Sequence, residues 1–160
     1  MNTTTYRAAV LSLTWLAGTA GHETGDYLVQ SNCDAQRKQQ RTRRGRLSLA
    51  RHAITYGLTQ AATKEAAYRV SGLRVPLTAK LAGTLAEIAI HTLVDDGRLL
   101  AWFAAAAGKA DHEQKTGFFY LGDAAASGRS LIDQAMHKGL QIPLGALITT
   151  ALAVRSGRRR

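Results

Sequence analysis

Three histidines in this chain each have an aspartate four residues away, and this spacing constrains the fold more than any other feature of the sequence. The pairs are His22 with Asp26, His91 with Asp95, and His137 with Asp133. Residues four apart lie on the same face of an α-helix, so the members of each pair can act together only if their segments are helical. The sequence therefore predicts a helix around each pair.

Apolar residues continue each of these faces at helical spacing. They are Leu11, Trp15 and Val29 on the first face, Leu81, Leu85 and Ile88 on the second, and Leu140, Leu144 and Ile148 on the third. An apolar stripe with this period normally faces the interior of a helical protein. We therefore expect all three pairs to point into one core.

Composition favours an all-α fold. Alanine occurs 28 times and proline only twice, and alanine favours helices because it loses no side-chain entropy there. Cys33 is the only cysteine, which excludes an intrachain disulfide framework and cysteine-rich metal sites. A length of 160 residues suits one domain. We predict a single compact bundle of four to five helices with an inward-facing His/Asp cluster.

The periodicity also predicts where the helices lie. They are expected at about residues 5–30, 47–70, 76–95, 99–107 and from about 128 onward. Pro143 should kink or break the last of them, because its ring removes a backbone hydrogen bond. The resulting domain covers residues 1–154, with a basic loop at 31–46 and a basic tail at 155–160.

The His/Asp pairs are suited to binding metal ions. A buried carboxylate without a partner is very costly, and a bound cation would remove that cost. The candidate ligands, with His52 of the second helix included, are His22, Asp26, His52, His91, Asp95, Asp133 and His137. Nitrogen and oxygen ligands without sulfur suit zinc, manganese or iron, and this set is large enough for one or two ions.

A metal site with an open position can activate water, because the pKa of the bound water falls to about 7. Glu87 lies one helical turn before His91 and is the candidate general base. A structural interpretation stands beside this one. A single His/Asp pair more often forms a hydrogen bond than a metal site, and the whole cluster could be a polar network that only stabilises the bundle.

The motifs resemble those of an uncharacterised bacterial and phage family, domain of unknown function 3307. The matching segments are His22-x-x-x-Asp26-Tyr27-x-x-Gln30, His52, His91-x-x-x-Asp95 and Asp133-Gln134-x-x-His137, in that order. The resemblance runs from about Leu11 to Ile148. It implies an all-helical fold and a polar cluster, and it names no reaction. Many members look membrane-embedded, whereas this chain has more polar loops and shorter apolar runs.

The net charge of +10 is concentrated in two segments. Residues 36–46 hold six basic side chains, and residues 155–160 hold four; neither segment contains an acid. The proposed contacts for nucleic acid are Arg37, Arg41, Arg43, Arg44, Arg46 and the C-terminal arginines. Arginine neutralises phosphate without reading sequence. The same positive field could instead draw a small anionic substrate toward the cluster.

Three functions are compatible with these features. The first is a metal-dependent hydrolase of a phosphorylated or otherwise anionic small substrate, for example a nucleotide. The second is a basic nucleic-acid-binding accessory protein, and the third is a structural helical protein with a metal or polar cluster. The chain has no signal-peptide pattern at its N-terminus, and its longest uncharged run has 16 residues, 139–154. We therefore expect a soluble, cytoplasmic protein, with weak membrane contact through this last segment as the alternative.

Overall fold

A computed structural model describes residues 1–122 and 127–157, and the chain in these ranges is predominantly helical. The α-helices are α1 (Thr3–Glu23), α2 (Asn32–Arg37), α3 (Arg43–Val70), α4 (Leu77–Asp95), α5 (Arg98–Ala106), α6 (Gly128–Met136) and α7 (Ile142–Gly157). A π-helical turn at Thr24–Val29 extends α1, and another at His137–Gln141 joins α6 to α7. A short 3₁₀ helix lies at Phe118–Tyr120.

Polar caps fix where several helices begin. The side chain of Asn2 accepts a hydrogen bond from the Thr5 amide at 2.8 Å, and Thr42 caps α3 in the same way. Such caps satisfy backbone N–H groups that have no partner inside the helix. Gly97 has φ +82°, which lets the chain turn sharply from α4 into α5.

The long helices α1, α3, α4 and α6–α7 pack side by side, and glycines allow the closest approaches. A Cβ added at Gly83 would lie 1.9 Å from Thr149 Oγ1, and one at Gly57 would lie 2.3 Å from Ile88 Cδ1. A Cβ at Gly83 would also lie 2.8 Å from the backbone oxygen of Gly145, so this position requires glycine, whereas at Gly57 the atom in the way is the end of the Ile88 side chain. The predicted all-α bundle is confirmed, and the His/Asp cluster lies inside it.

The leucine stripes do not form the core, and this part of the sequence interpretation is wrong. On α4 the buried positions include Ala79, Gly83, Glu87, His91 and Asp95. Large apolar side chains are exposed instead: Trp15, Val29, Leu81, Leu85, Leu140 and Leu144 are between 37% and 63% exposed. Small and polar residues lie where the helices approach most closely, and larger apolar side chains, among them Val94, Leu100 and Ile142, complete the interior.

The last helix continues through Pro143 rather than breaking there. The π turn His137–Gln141 ends just before the proline, which lies in the first turn of α7. A π turn shifts hydrogen bonding from four to five residues, which accommodates the donor that proline lacks. The first helix likewise changes to π geometry at Thr24.

The segment predicted as a basic loop is partly helical. Residues 32–37 form α2, and α3 begins at Arg43 rather than near Leu47. At the C-terminus, α7 extends to Gly157 and includes Arg155, while residues 158–160 of the expected tail lie outside the described residues, as do 123–126.

Within the described ranges, α4 is long and apolar enough to cross a membrane by length and composition. Its 19 residues have a mean hydropathy of 1.2 over the tested window, and 28% of that window is buried inside the protein. The core helix of a soluble protein can meet the same criteria, so this finding by itself carries little weight.

Candidate metal centre

The fold brings all seven candidate ligands to one end of the bundle. This is the end where α1 and α4 finish and where α3 and α6 begin. His22 lies on α1, Asp26 on the first π turn, and His52 on α3; His91 and Asp95 lie on α4, Asp133 on α6, and His137 on the second π turn. The four histidines and Asp95 are at most 1% exposed.

Four of these side chains bring one candidate ligand atom each close together. His52 Nε2 and His91 Nε2 lie 2.9 Å apart, within hydrogen-bond distance, and Asp95 Oδ2 is 3.1 Å from each of them. Asp26 Oδ1 lies 3.4 Å from His52 Nε2 and 3.7 Å from His91 Nε2. Tetrahedral ligands at bond lengths of about 2.0–2.1 Å are separated by about 3.3 Å. Asp26, His52 and His91 are therefore close enough to share one ion, and Asp95 Oδ2 adjoins both imidazoles; we call these four atoms the four-atom set.

Gln141 determines which nitrogen of two histidines is free to bind. Its Oε1 accepts hydrogen bonds from Nδ1 of His91, at 3.3 Å, and from Nδ1 of His137. Its amide nitrogen donates to the hydroxyl of Tyr56, which sets the orientation of the amide. Because Nδ1 carries the proton in both rings, Nε2 keeps its lone pair and points at the cluster.

Tyr56 holds the His91 ring in place. The two rings stack with their centroids 3.7 Å apart and their planes 9° from parallel. Gln60 also donates to the Tyr56 hydroxyl, at 2.7 Å. Burial raises the pKa of Tyr56, so the phenol stays protonated and neutral beside the cluster.

The carboxylates of the cluster are held in the charged state by the imidazoles. Burial opposes ionisation of Asp95, but His137, His52 and His91 surround it and hold its pKa well below the ordinary value. Asp26 behaves in the same way: burial opposes ionisation and the neighbouring histidines lower its pKa. Burial lowers the pKa of His91, which favours the neutral form that metals require. At His52 and His137 burial also opposes protonation, but the neighbouring aspartates raise the pKa of both imidazoles.

Several buried atoms at the centre have no hydrogen-bond partner among the described residues. They are Asp26 Oδ1, Asp95 Oδ2, Asp133 Oδ1 and His137 Nε2. Buried polar atoms in folded proteins are almost always satisfied. Lone pairs that converge without a donor are satisfied by a cation, so the residues present fit a metal ion.

A second group of possible ligands lies on the other side of Asp95. Its Oδ1 is 3.5 Å from His137 Nε2, which is in turn 3.7 Å from Asp133 Oδ2. The ammonium of Lys38, however, donates to the same Oδ1 at 2.8 Å. Asp95 thus faces the four-atom set with one oxygen and a lysine with the other. The sequence analysis missed Lys38, which follows α2 directly.

His22 contacts the four-atom set through Asp26 and belongs to a third possible group with His91 and His137. Its Nδ1 is 3.5 Å from Asp26 Oδ2, and its Nε2 is 3.0 Å from Gln134 Oε1. With Nε2 donating to Gln134, Nδ1 carries the lone pair.

Glu87 is not brought to the metal ligands. Its carboxylate pairs with the ammonium of Lys64, and both side chains are buried. Its other oxygen packs against the backbone of Gly145. No contact in the described residues links this carboxylate to the four-atom set, because the side chain turns toward α3. Its role as a general base stays a prediction.

No protein-family model matches this chain, and no curated protein or solved structure shows a significant similarity to it. The fold and the site therefore define the class by themselves: an α-helical bundle with a buried His/Asp cluster that could hold a metal ion.

Proposed function

We propose that this protein is a metal-dependent hydrolase of phosphorylated or otherwise anionic small substrates. The observation that carries the proposal is the close approach of His52, His91, Asp26 and Asp95 inside the bundle, where the pKa values of both aspartates are lowered. Zinc, manganese and iron all accept this donor set. A divalent ion held there would supply a hydroxide nucleophile at neutral pH.

The residues around the site favour an anionic substrate. Lys38 and Asp133 are the most exposed side chains contacting the cluster, at 12% and 20%, so they form its edge toward solvent. Arg129 reaches Gln39, the neighbour of Lys38. Lys38 and Arg129 therefore place positive charge near this edge, and positive charge concentrates and orients phosphate esters.

Lys38 also limits the number of ions. An ammonium bonded to Asp95 Oδ1 supplies a positive charge where a second metal would otherwise bind beside His137. We therefore assign one divalent ion to the four-atom set, with Lys38 contacting the anionic group of the substrate.

Two neighbouring aspartates provide the test. The Asp95→Ala protein should lose its divalent metal, measured by elemental analysis after growth in metal-replete medium, and should lose turnover of an activated phosphoester. Asp96→Ala is the matched control, because Asp96 binds only Arg41 and Arg98 at the surface; it should retain the metal and at least about half of the activity. A folded wild-type protein without metal, and without thermal stabilisation by zinc, manganese or iron, would contradict the proposal. Bound metal without turnover on phosphoesters would assign the ion a structural role instead.

A further inference from the structure

The outward-facing sides of α3 and α4 are apolar. On α4, Leu77, Leu81, Leu85 and Leu93 are 53–68% exposed, and on α3, Leu47, Ile54 and Leu58 are 55–66% exposed. At about 100° per residue, Leu81, Leu85 and Leu93 spread over about 120° of the α4 surface and Leu77 lies about 40° further round, so together they cover one broad outward side of the helix. We call these seven residues the α3–α4 apolar face.

The two stripes lie on adjacent helices. Gly57 of α3 contacts Ile88 of α4. Toward the turn between the two helices, Ala61, Leu77 and Leu81 line a shared surface groove together with the charged side chains of Glu65, Arg69 and Lys80. Exposed apolar surface that is bordered by polar residues marks interaction sites.

The interior of the same helices is unusually polar. Gln60, Lys64 and Glu87 are at most 4% exposed, in line with the buried histidines further along the bundle. Water-soluble proteins bury leucine and expose lysine and glutamate. A helix pair with exposed leucines and buried polar side chains is stable where the medium next to the leucines is hydrocarbon.

Charge identifies the kind of partner. Arg43, Arg44 and Arg46 are exposed at the start of α3, and Arg69 and Arg74 are exposed around the turn from α3 to α4. The apolar face therefore lies between two basic ends. A second copy of this chain, also at +10, would be repelled, whereas anionic lipid headgroups attract clustered arginine.

We propose that the α3–α4 apolar face contacts the acyl chains of an anionic lipid bilayer, with the arginines at its two ends bound to headgroup phosphates. This contact is independent of the metal centre and of the proposed hydrolase activity. The proposed membrane contact differs from the expectation of a soluble protein, which was based on the length of the longest uncharged run. The length of a run does not show on which side of each helix the leucines lie.

Vesicle flotation tests the contact. Purified protein should float with vesicles of phosphatidylcholine and phosphatidylglycerol, and more weakly with phosphatidylcholine alone. Replacing Leu77, Leu81 and Leu85 by Gln should lower the partition coefficient by more than about tenfold, since each leucine contributes to burial in hydrocarbon. The matched control replaces Leu28, Leu121 and Leu131, which are 54–80% exposed outside α3 and α4, and should float like the wild type. Circular dichroism confirms that each variant is folded.

A label gives a second readout that does not depend on the triple variant. Cys33 is exposed and is the only cysteine. A polarity-sensitive dye attached to it should therefore show the emission that is typical of water, both without vesicles and with them. In the Cys33→Ser, Leu81→Cys protein, the same dye should shift to the blue when anionic vesicles are added.

Several results would overturn the proposal. The first is wild-type protein that does not bind either type of vesicle. The second is an equal loss of vesicle binding in the leucine triple variant and in the control triple variant. The third is vesicle binding that is abolished by salt but is unchanged in the leucine triple variant. The last result would indicate charge-only attraction, as for nucleic acid. A dimer that the leucine triple dissociates, without vesicle binding, would assign the face to self-association.

Discussion

Gln141 shows how a single side chain sets the chemistry of its neighbours. One amide oxygen accepts from two imidazole Nδ1 atoms and so directs the lone pairs of His91 and His137 into the cluster. Replacing Gln141 by Leu removes this acceptor while leaving every proposed ligand in place. We expect metal affinity to fall by about 10–100-fold, as for other residues that orient metal-binding histidines.

Competition with a chromophoric chelator measures this change. Gln114→Leu, at an exposed position, should have wild-type affinity. Unchanged affinity in a folded Gln141→Leu protein would contradict the assignment of His91 Nε2 as a ligand that depends on this hydrogen bond.

The buried pair Lys64–Glu87 makes a prediction about stability. Burial lowers the pKa of Lys64 and raises that of Glu87, and in each case the opposite charge of the partner reduces the shift. Lys64→Met leaves a buried carboxylate without its partner, so the free energy of unfolding should fall by about 3–5 kcal/mol. Adding Glu87→Gln should recover a large part of this loss.

Urea denaturation measures both variants. The exposed pair Arg69–Glu65 supplies the comparison, since Arg69→Met should change stability little. If the double variant is no more stable than Lys64→Met, then the cost does not come from the uncompensated charge.

Much of the candidate site could be predicted from residue spacing, but its supporting residues could not. His22, Asp26, His91 and Asp95 have helical spacings that indicate their grouping. Lys38 has no such pattern, because its contact with Asp95 depends on how the segment after α2 folds over the bundle. Gln141 does lie four residues after His137, which is a helical spacing. This spacing indicates a contact between the two side chains only once it is known which side of the helix faces inward.

At the level of elements, α2 depends on Asp34. Ser31 caps the helix through the Asp34 amide at 3.1 Å, and Asp34 Oδ1 accepts from Arg51 at 2.5 Å. Burial opposes ionisation, but hydrogen bonds from Arg51, Ser48 and Ser31 hold the pKa of Asp34 below its ordinary value. Because the folded-state pKa is depressed, this stabilisation is complete above the unfolded-state pKa and is lost as the pH falls through the folded-state value.

Asp34→Asn should therefore lower stability at pH 7, and the difference from wild type should shrink as the solution is acidified below about pH 4. Denaturation at a series of pH values measures it, with exposed Glu113→Gln as the control. A difference that stays constant across this range would show that the charge of Asp34 is not what stabilises α2.

Helix positions were predicted well, and π geometry was not. The observed starts of α4 and α5, at Leu77 and Arg98, lie within one residue of the predicted starts. The π turn that carries Asp26 has no sequence pattern of its own. It depends on how α1 packs against α3, where Gly25 contacts Tyr56.

For the whole molecule, the exposed arginines at the start of α3 predict salt-dependent binding to polyanions. Replacing Arg43, Arg44 and Arg46 by Ala should weaken binding to DNA and reduce the slope of log K against log salt by about 2–3, since each phosphate contact contributes about 0.9. Arg41 is left unchanged because it pairs with Asp96.

Fluorescence anisotropy at several salt concentrations measures this slope. Arg69→Ala with Arg74→Ala, at the opposite end of α3, is the control. An unchanged slope in the triple variant would exclude this cluster as the contact.

The spacing of the apolar residues predicted the wrong buried side for the helices. At about 100° per residue, Leu81 and Leu85 lie about 80° and 120° around the helix axis from His91, so the leucines and the histidine occupy different sides of α4. Here Gly83 and Gly145 bring the backbones so close that only small or hydrogen-bonded side chains fit between them. The apolar period therefore gave the correct helices and the correct grouping of histidines, but the wrong position for the leucines.

The position of the ligands along the chain has a consequence for synthesis. Asp26, His52, His91 and Asp95 all precede residue 96, whereas Gln141 comes 46 residues after Asp95. During translation the ribosome therefore releases every proposed ligand before the residue that fixes their protonation pattern. A nascent chain that ends before Gln141 therefore carries all four proposed ligands without the amide oxygen that accepts from His91 Nδ1 in the finished protein.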